Sequence, residues 1–153
     1  MEKSADLRDA MHLYYDEPIW GHMNEKELSK YLIPCISLGQ YNIFRYENTG
    51  VAYAFTNWAY LSDDVEKRFI KSGVLDKCDW DSGPNVWHID TINKHNGKLN
   101  DIYKWTANYF ENKFSGDAVV NWLRLSKSGD KILRRNKMTV GKGLRKFKWV
   151  IEN

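Results

Sequence analysis

Gln40–Tyr46 (QYNIFRY), Glu47-Asn48-Thr49-Gly50 and Val51–Trp58 (VAYAFTNW) are the stretch whose reading decides the fold. Both flanks are aromatic and β-branched, residue types that suit a pleated, half-buried surface. The four residues between them form a turn cluster. The stretch therefore predicts a β-hairpin.

Toward the N-terminus, Asp6–Tyr15 reads as a short helix. A second helix opens at Asn24-Glu25-Lys26-Glu27-Leu28. Asn24 is its N-cap and Glu27 stands three residues on, an imperfect capping box because Asn replaces Ser or Thr. That helix is expected to fade near Pro34, since the residue before proline avoids helical angles. Toward the C-terminus, Ser62-Asp63-Asp64 caps a helix from about Val65 to Ile70. Asp81-Ser82-Gly83-Pro84-Asn85 is a turn cluster. Val86–Ile92 (VWHIDTI) is a strand that alternates in part. Asn93–Gly97 is a loop, and Leu99–Lys113 a helix with Ile102, Tyr103, Thr106, Tyr109 and Phe110 at helical spacing. Ala118–Leu125 (AVVNWLRL) is a further strand, and Leu144–Ile151 a final one. The expected fold class is α+β, an α/β sandwich with one central, mostly antiparallel sheet flanked by helices. No repeat or linker interrupts residues 1–153, which are read as a single domain.

The 153 residues suffice for a core without staples. Seven Trp and nine Tyr can build a core, an interface or an apolar groove. Cys35 and Cys78 form no framework pattern and are expected to be reduced. The charged start, Met1–Ala10, has no apolar leader segment, and no stretch approaches a membrane span, so a cytoplasmic protein is expected. Net charge is only +3 but unevenly placed. Between Lys127 and Lys148 nine basic residues, among them Lys131, Arg134 and Arg135, meet one acid, Asp130. That segment is either a solvated basic face or a docking surface for an acidic partner.

No metal motif, phosphate loop or nucleophile elbow occurs, and no cofactor is implied. Two residues stand out more weakly. His22, after Pro18-Ile19-Trp20-Gly21, sits in a loop before a helix; such a histidine can be a general base or an inert surface side chain. Asp90 lies in the apolar strand Val86–Ile92, where a carboxylate is costly unless paired or turned to solvent. His88, two positions before it, shares its face in a regular strand and competes as its partner.

Three blocks resemble the RTX toxin-activating lysine-acyltransferases. The first is a histidine after a short aromatic helix, then Tyr31-Leu32-Ile33-Pro34-Cys35-Ile36 and Gly39-Gln40-Tyr41. The second is Val51-Ala52-Tyr53 with Asn57-Trp58-Ala59-Tyr60-Leu61-Ser62. The third is Asp79-Trp80-Asp81-Ser82-Gly83, Trp87-His88-Ile89-Asp90 and Tyr103–Phe114. The resemblance runs from about Leu13 to Leu125. It implies a fold like the Gcn5-type N-acetyltransferases, an acyl donor that is acyl carrier protein rather than coenzyme A, acceptors that are internal lysines of a protoxin, and a homodimer. It also implies essential roles for His22 and Asp90, the matches to the family's histidine and aspartate. The sequence departs from the family at Ile19, where a serine is frequent, in a shorter segment between His22 and Pro34, at Cys35, and in a shorter C-terminal end.

The expected function is thus transfer of a fatty acyl group from acyl carrier protein to a partner's lysine. His22 would serve as base or nucleophile, and Asp90 would orient it or position the acceptor amine. Lys127, Lys131, Arg134 and Arg135 would dock the carrier protein. Two rival readings stay open: a small nucleic-acid-binding module using the basic tail with Trp122, Phe147 and Trp149, and an inactive acyltransferase-like binding subunit. Near-balanced charge argues against nucleic acid as partner.

Overall fold

The computed structural model describes residues 2–20, 22–114, 118–126, 131–139 and 147–150, the last by backbone alone. Among them, helices α1 (Glu2–Tyr14), α2 (Glu25–Leu38), α3 (Asp63–Ser72) and α4 (Leu99–Lys113) surround a six-stranded sheet. Its strands are β1 (Tyr41–Arg45), β2 (Ala52–Leu61), β3 (Asn85–Asn93), β4 (Val119–Leu125), β5 (Ile132–Thr139) and β6 (Phe147–Val150). They follow one another in chain order across the sheet. All neighbours are antiparallel except β3 and β4, which are parallel and joined through α4. The α+β sandwich expected from the sequence is the fold observed, and its architecture is consistent with a Gcn5-type N-acetyltransferase sandwich.

The sheet's two faces carry separate cores. On one face Ala10, Tyr14, Leu28, Leu32, Phe55, Leu61 and Trp87 pack α1, α2 and α3 against the strands. On the other, Trp58, Val86, Phe110 and Val120 pack α4. The hairpin forms as expected: Tyr46 and Val51 close its ends, with the Tyr46 N–H donating to the Val51 carbonyl at 3.0 Å, and Gly50 takes φ +75°.

One local expectation is borne out and one is corrected. The capping box at Asn24 is complete, with the Asn24 carbonyl oxygen accepting from the Glu27 N–H at 2.8 Å and the Glu27 carboxylate accepting from the Asn24 N–H at 3.2 Å. However, α2 runs through Pro34 to Leu38. An interior proline costs about 3 kcal/mol. Fully or nearly buried Cys35 and Ile36, beyond the proline, offset it, since burying such side chains contributes roughly 1.5–3 kcal/mol each. Strand β5 shows no legible alternation because three charged residues in Ile132–Thr139, Arg134, Arg135 and Lys137, hide the buried positions Asn136 and Met138.

The most family-specific blocks lock together. Gln40 Nε2 donates to the carbonyls of Trp58 (2.9 Å) and Trp80 (3.0 Å). The Ser82 and Gly83 N–H groups donate to the Tyr60 carbonyl, and the Ser62 N–H donates to Ser82 Oγ. Gly83 is pressed so closely on this turn that a Cβ there would lie 2.4 Å from the Ser62 Cα and 2.6 Å from its nitrogen. Both neighbours are backbone and cannot rotate away. Gly83→Ala is therefore expected to destabilise by about 1–3 kcal/mol or more, the scale of overpacking, lowering the urea midpoint at unchanged slope. An unchanged midpoint would mean that the Leu61–Ser62 turn yields freely.

Candidate functional site

β3 does not run regularly. Asn57 pairs with Asp90 and Trp58 with His88, which leaves Ile89 as an extra residue in β3. This β-bulge turns Ile89 and Asp90 to the same face, and bulges commonly re-aim a side chain in this way. Asp90 thus points toward α1 and α2, whereas His88 points to the opposite face. The expected pairing of His88 with Asp90 along one strand face is corrected on this ground.

His88 instead meets Thr56 and Thr91, with Thr91 Oγ1 3.3 Å from its Nε2. The Thr56 hydroxyl donates to the Asp90 carbonyl at 2.9 Å, so Thr56 Oγ1 accepts from an Nε2–H of neutral His88. Burial pushes this imidazole down from 6.5 to about 4. Its folded value lies below its unfolded one, so the stabilisation is complete above pH 6.5 and is lost as pH falls toward 4. One pKa unit corresponds to 1.36 kcal/mol, which sets an upper bound on the order of 3 kcal/mol. Urea midpoints measured from pH 7 to 4 should fall less for His88→Gln than for the parent; equal falls would exclude His88 as the source.

Asp90 is 6% exposed and held by three elements. Its Oδ2 accepts from the hydroxyls of Tyr14 on α1 and Tyr31 on α2, both at 2.7 Å, and from Asn57 Nδ2 on β2 at 3.5 Å. Asn57 Oδ1 takes the Asp90 N–H at 2.9 Å, satisfying a backbone donor beside the bulge. Burial is the larger influence on the Asp90 carboxyl and raises it above the usual carboxylate value; the three side-chain donors act in the opposite direction. Burial beside Asp90 likewise raises both tyrosines far above their ordinary value. Cys35, whose Sγ accepts from Asn57 Nδ2 at 3.5 Å, is pushed up to about 12 by burial and is an inert thiol. Cys35 and Cys78 are both free.

A cavity of about 410 Å³ opens beside Asp90. It exists because β3 and β4 pair only at Val86 with Val120 and at Trp87 with Asn121, then diverge. Ile89 and Asp90 line one wall, Leu123 and Leu125 another. The α1–α2 connection adds Ile19, Trp20 and His22, and Phe69 and Leu75 extend the apolar lining. His22 and Asp90, 68 positions apart in sequence, thus border one mainly apolar space. His22 is exposed, and no hydrogen bond joins it to Asp90 among the described residues. Sequence reading singled out this histidine and this aspartate but missed Tyr14, Tyr31 and Asn57. The last two lie inside the blocks Tyr31–Ile36 and Asn57–Ser62, where their signal was present but undistinguished from packing.

The four candidate docking residues fare differently. Lys131 is exposed. Lys127 and the Arg134 side chain lie outside the described residues. Arg135 is largely covered: its side chain is 12% exposed, donates to Asn121 Oδ1 at 3.0 Å, lies 3.6 Å from Glu66 and stacks over Trp87. It is part of the sheet's packing. Trp122, a candidate stacking platform for nucleic acid, is partly buried against the α4 core.

Among the described residues no cluster of His, Cys, Asp and Glu could hold a metal ion, and no helix is long and apolar enough to cross a membrane. Fold and cavity together define a transferase-like α+β sandwich whose two polar candidates border an apolar pocket.

Residues 1–139 match the HlyC model of the RTX toxin acyltransferase family, and the chain belongs to that family. It is 33% identical over 105 residues to the uncharacterized protein sll0720 of Synechocystis sp. (strain ATCC 27184 / PCC 6803 / Kazusa), a match covering 68% of each chain. It is 34% identical over 81 residues to the leukotoxin-activating lysine-acyltransferase LtxC of Aggregatibacter actinomycetemcomitans. That second match covers 52% of this chain and spans about half, 47%, of the relative.

Proposed function

We propose that this chain transfers a fatty acyl group from acyl carrier protein to a lysine side chain of a partner protein of the RTX-toxin type. The observation that carries this reading is the shared cavity of His22 and Asp90, with Tyr31 beside them and a mainly apolar lining elsewhere. A lysine amine attacks a thioester only after losing its proton, and a histidine can accept that proton near neutral pH. His22 is the base. Asp90 turns its second oxygen, Oδ1, to the cavity and receives the incoming amine. Apolar walls suit an acyl chain, each buried CH₂ contributing about 0.8 kcal/mol. The first proton of the ammonium passes through His22 to solvent. The neutral amine then attacks the thioester carbonyl, and His22 takes the second proton from nitrogen as the C–N bond forms. It hands that proton to the carrier-protein sulfur as the C–S bond breaks, so that the carrier leaves as its thiol. The similarity to LtxC, a leukotoxin-activating lysine-acyltransferase, supports the same acceptor chemistry. The test is intact-mass analysis of candidate partner proteins after incubation with acyl-loaded carrier protein. A mass gain of one acyl group on a lysine is expected, and no gain with any RTX-type partner would overturn the reading.

The basic segment provides the carrier-protein dock, with exposed Lys131 its best-defined member. Affinity for acyl carrier protein should weaken steeply from 0.1 M to 1 M salt, as the Debye length falls from about 10 Å to 3 Å. Lys131→Glu should reproduce part of the loss. An affinity indifferent to salt, or tighter binding of DNA than of carrier protein, would contradict this.

A further inference from the structure

Asp90 is over-supplied with donors on one side and bare on the other. Tyr14 and Tyr31 arrive from different helices, yet both donate to the same atom, Oδ2, at 2.7 Å, and Asn57 reaches that atom from β2. Oδ1 has no partner among the described residues, and it is not one of the buried unpartnered atoms, so it meets the cavity. A carboxylate left to rotate would distribute donors over both oxygens. Here the ring positions forbid it. Tyr14 is fully buried, with its ring edge-on to Trp20 and Phe55 at 5.1 and 5.6 Å between centroids. Tyr31 stands edge-on to Trp80 and lines the cavity itself.

We infer that Tyr14, Tyr31 and Asn57 are positioning residues for the transfer reaction: they clamp Asp90 through Oδ2, so that Oδ1 is presented, charged, to the acceptor amine. This rests on the reading of the cavity as an acyl-transfer site. A charge buried at this depth survives only when hydrogen-bonded, and charge-assisted hydrogen bonds are the strong ones. No Lys or Arg side chain contacts Asp90 among the described residues. The groups that face it are the two phenols, the Cys35 thiol behind Asn57, the Thr56 hydroxyl on its carbonyl, and His22, which lines the same cavity from the α1–α2 connection. Support for the negative charge therefore comes from neutral donors, and each phenol removed weakens it without introducing a new charge.

Tyr31→Phe and Tyr14→Phe delete one hydroxyl each and keep the ring. Tyr31 is the safer variant for folding because it borders the cavity, whereas Tyr14 is in the core. Two readouts separate the clamp from the reading beneath it. The first needs no substrate: carboxyl ¹³C NMR of Asp90, identified by its absence in Asp90→Asn, is followed over pH in the parent and both Phe variants. The carboxyl should titrate at higher pH in each variant. The second is acyl transfer with the acceptor protein varied. The KM for the acceptor should rise about tenfold or more, the scale of one hydrogen bond to a charged group, with the KM for acyl-loaded carrier protein unchanged. The acid limb of the pH–rate profile should move upward with the NMR titration. An unmoved Asp90 titration in folded Tyr31→Phe overturns the clamp whatever the rates do. A moved titration with unchanged acceptor KM and pH profile overturns the positioning role. If Asp90→Asn itself transfers normally, the cavity reading fails, and the NMR titration still reports on the clamp.

Discussion

His22→Ala is expected to lower acyl transfer by at least about 10²-fold while leaving thermal stability unchanged. The rate estimate is the smaller end of what a general base contributes. The stability estimate follows from the side chain's surroundings. His22 is exposed in the turn between α1 and α2, and it holds no hydrogen bond among the described residues, so truncation strands no buried partner. Surface substitutions of that kind stay within about 0.5 kcal/mol. The other histidines provide controls. His12 is exposed on α1, edge-on to Tyr15, and away from the cavity lining, and His12→Ala should transfer acyl groups at the parental rate. The measurement is the rate of mass gain on the acceptor protein, with melting followed in parallel. Activity of His22→Ala within a few-fold of the parent would remove His22 from the reaction and leave Asp90, with the Tyr31 hydroxyl it holds, as the candidate in the cavity.

The parts of this fold that were legible in the sequence are those decided within a few residues. The β1–β2 hairpin needs only two apolar runs and a turn. The Ser62 cap of α3 needs one hydroxyl, which accepts from the Val65 N–H at 3.2 Å. Expectations failed where a distant contact decides. Pro34 stays inside α2 because residues beyond it reach the core. The bulge at Ile89 depends on Asn57, 33 positions from Asp90, taking the backbone donor beside it. No periodicity in Val86–Ile92 announces that, and the bulge alone separates His88 from Asp90. Arg135 looked like one of nine surface cations because charge counting is blind to Trp87, Asn121 and Glu66 gathering around it. For the site, the resemblance pointed to a histidine and an aspartate. It did not point to the two tyrosines, whose roles rest on which ring a helix turns inward. Gly83 shows the reverse: the specificity of the Asp79–Gly83 block reflects the close approach of two turns, a packing constraint more than a chemical one.

Asp90→Asn is expected to reduce transfer by about 10²-fold or more and, at neutral pH, to leave the protein as stable as the parent or more stable. The two halves of this expectation have one cause. Burial raises the Asp90 carboxyl above its ordinary value against the pull of three donors, so the folded protein binds that proton more tightly than the unfolded chain does. For such a group stability increases as pH falls through the folded value and is complete below the unfolded one, and ionised Asp90 is a net cost at pH 7. The amide keeps the volume, and its oxygen can still accept from Tyr14 and Tyr31. It discards the charge, and removing a costly buried charge by an isosteric neutral group is often neutral or stabilising. An acceptor ammonium, in contrast, loses its counter-charge, and a broken charge-assisted pair in a site of low polarity costs several kcal/mol. If Asp90 served only to tie β3 to α1 and α2, melting temperature and activity would fall together. A stable variant that no longer transfers is the outcome expected of a site that holds a charge against the preference of the fold. The measurement pairs urea midpoints at pH 7 with acyl transfer at saturating carrier protein and varied acceptor. Loss confined to kcat, with the acceptor KM unmoved, would shift Asp90 from receiving the amine to assisting His22. A large drop in the urea midpoint would return it to the architecture.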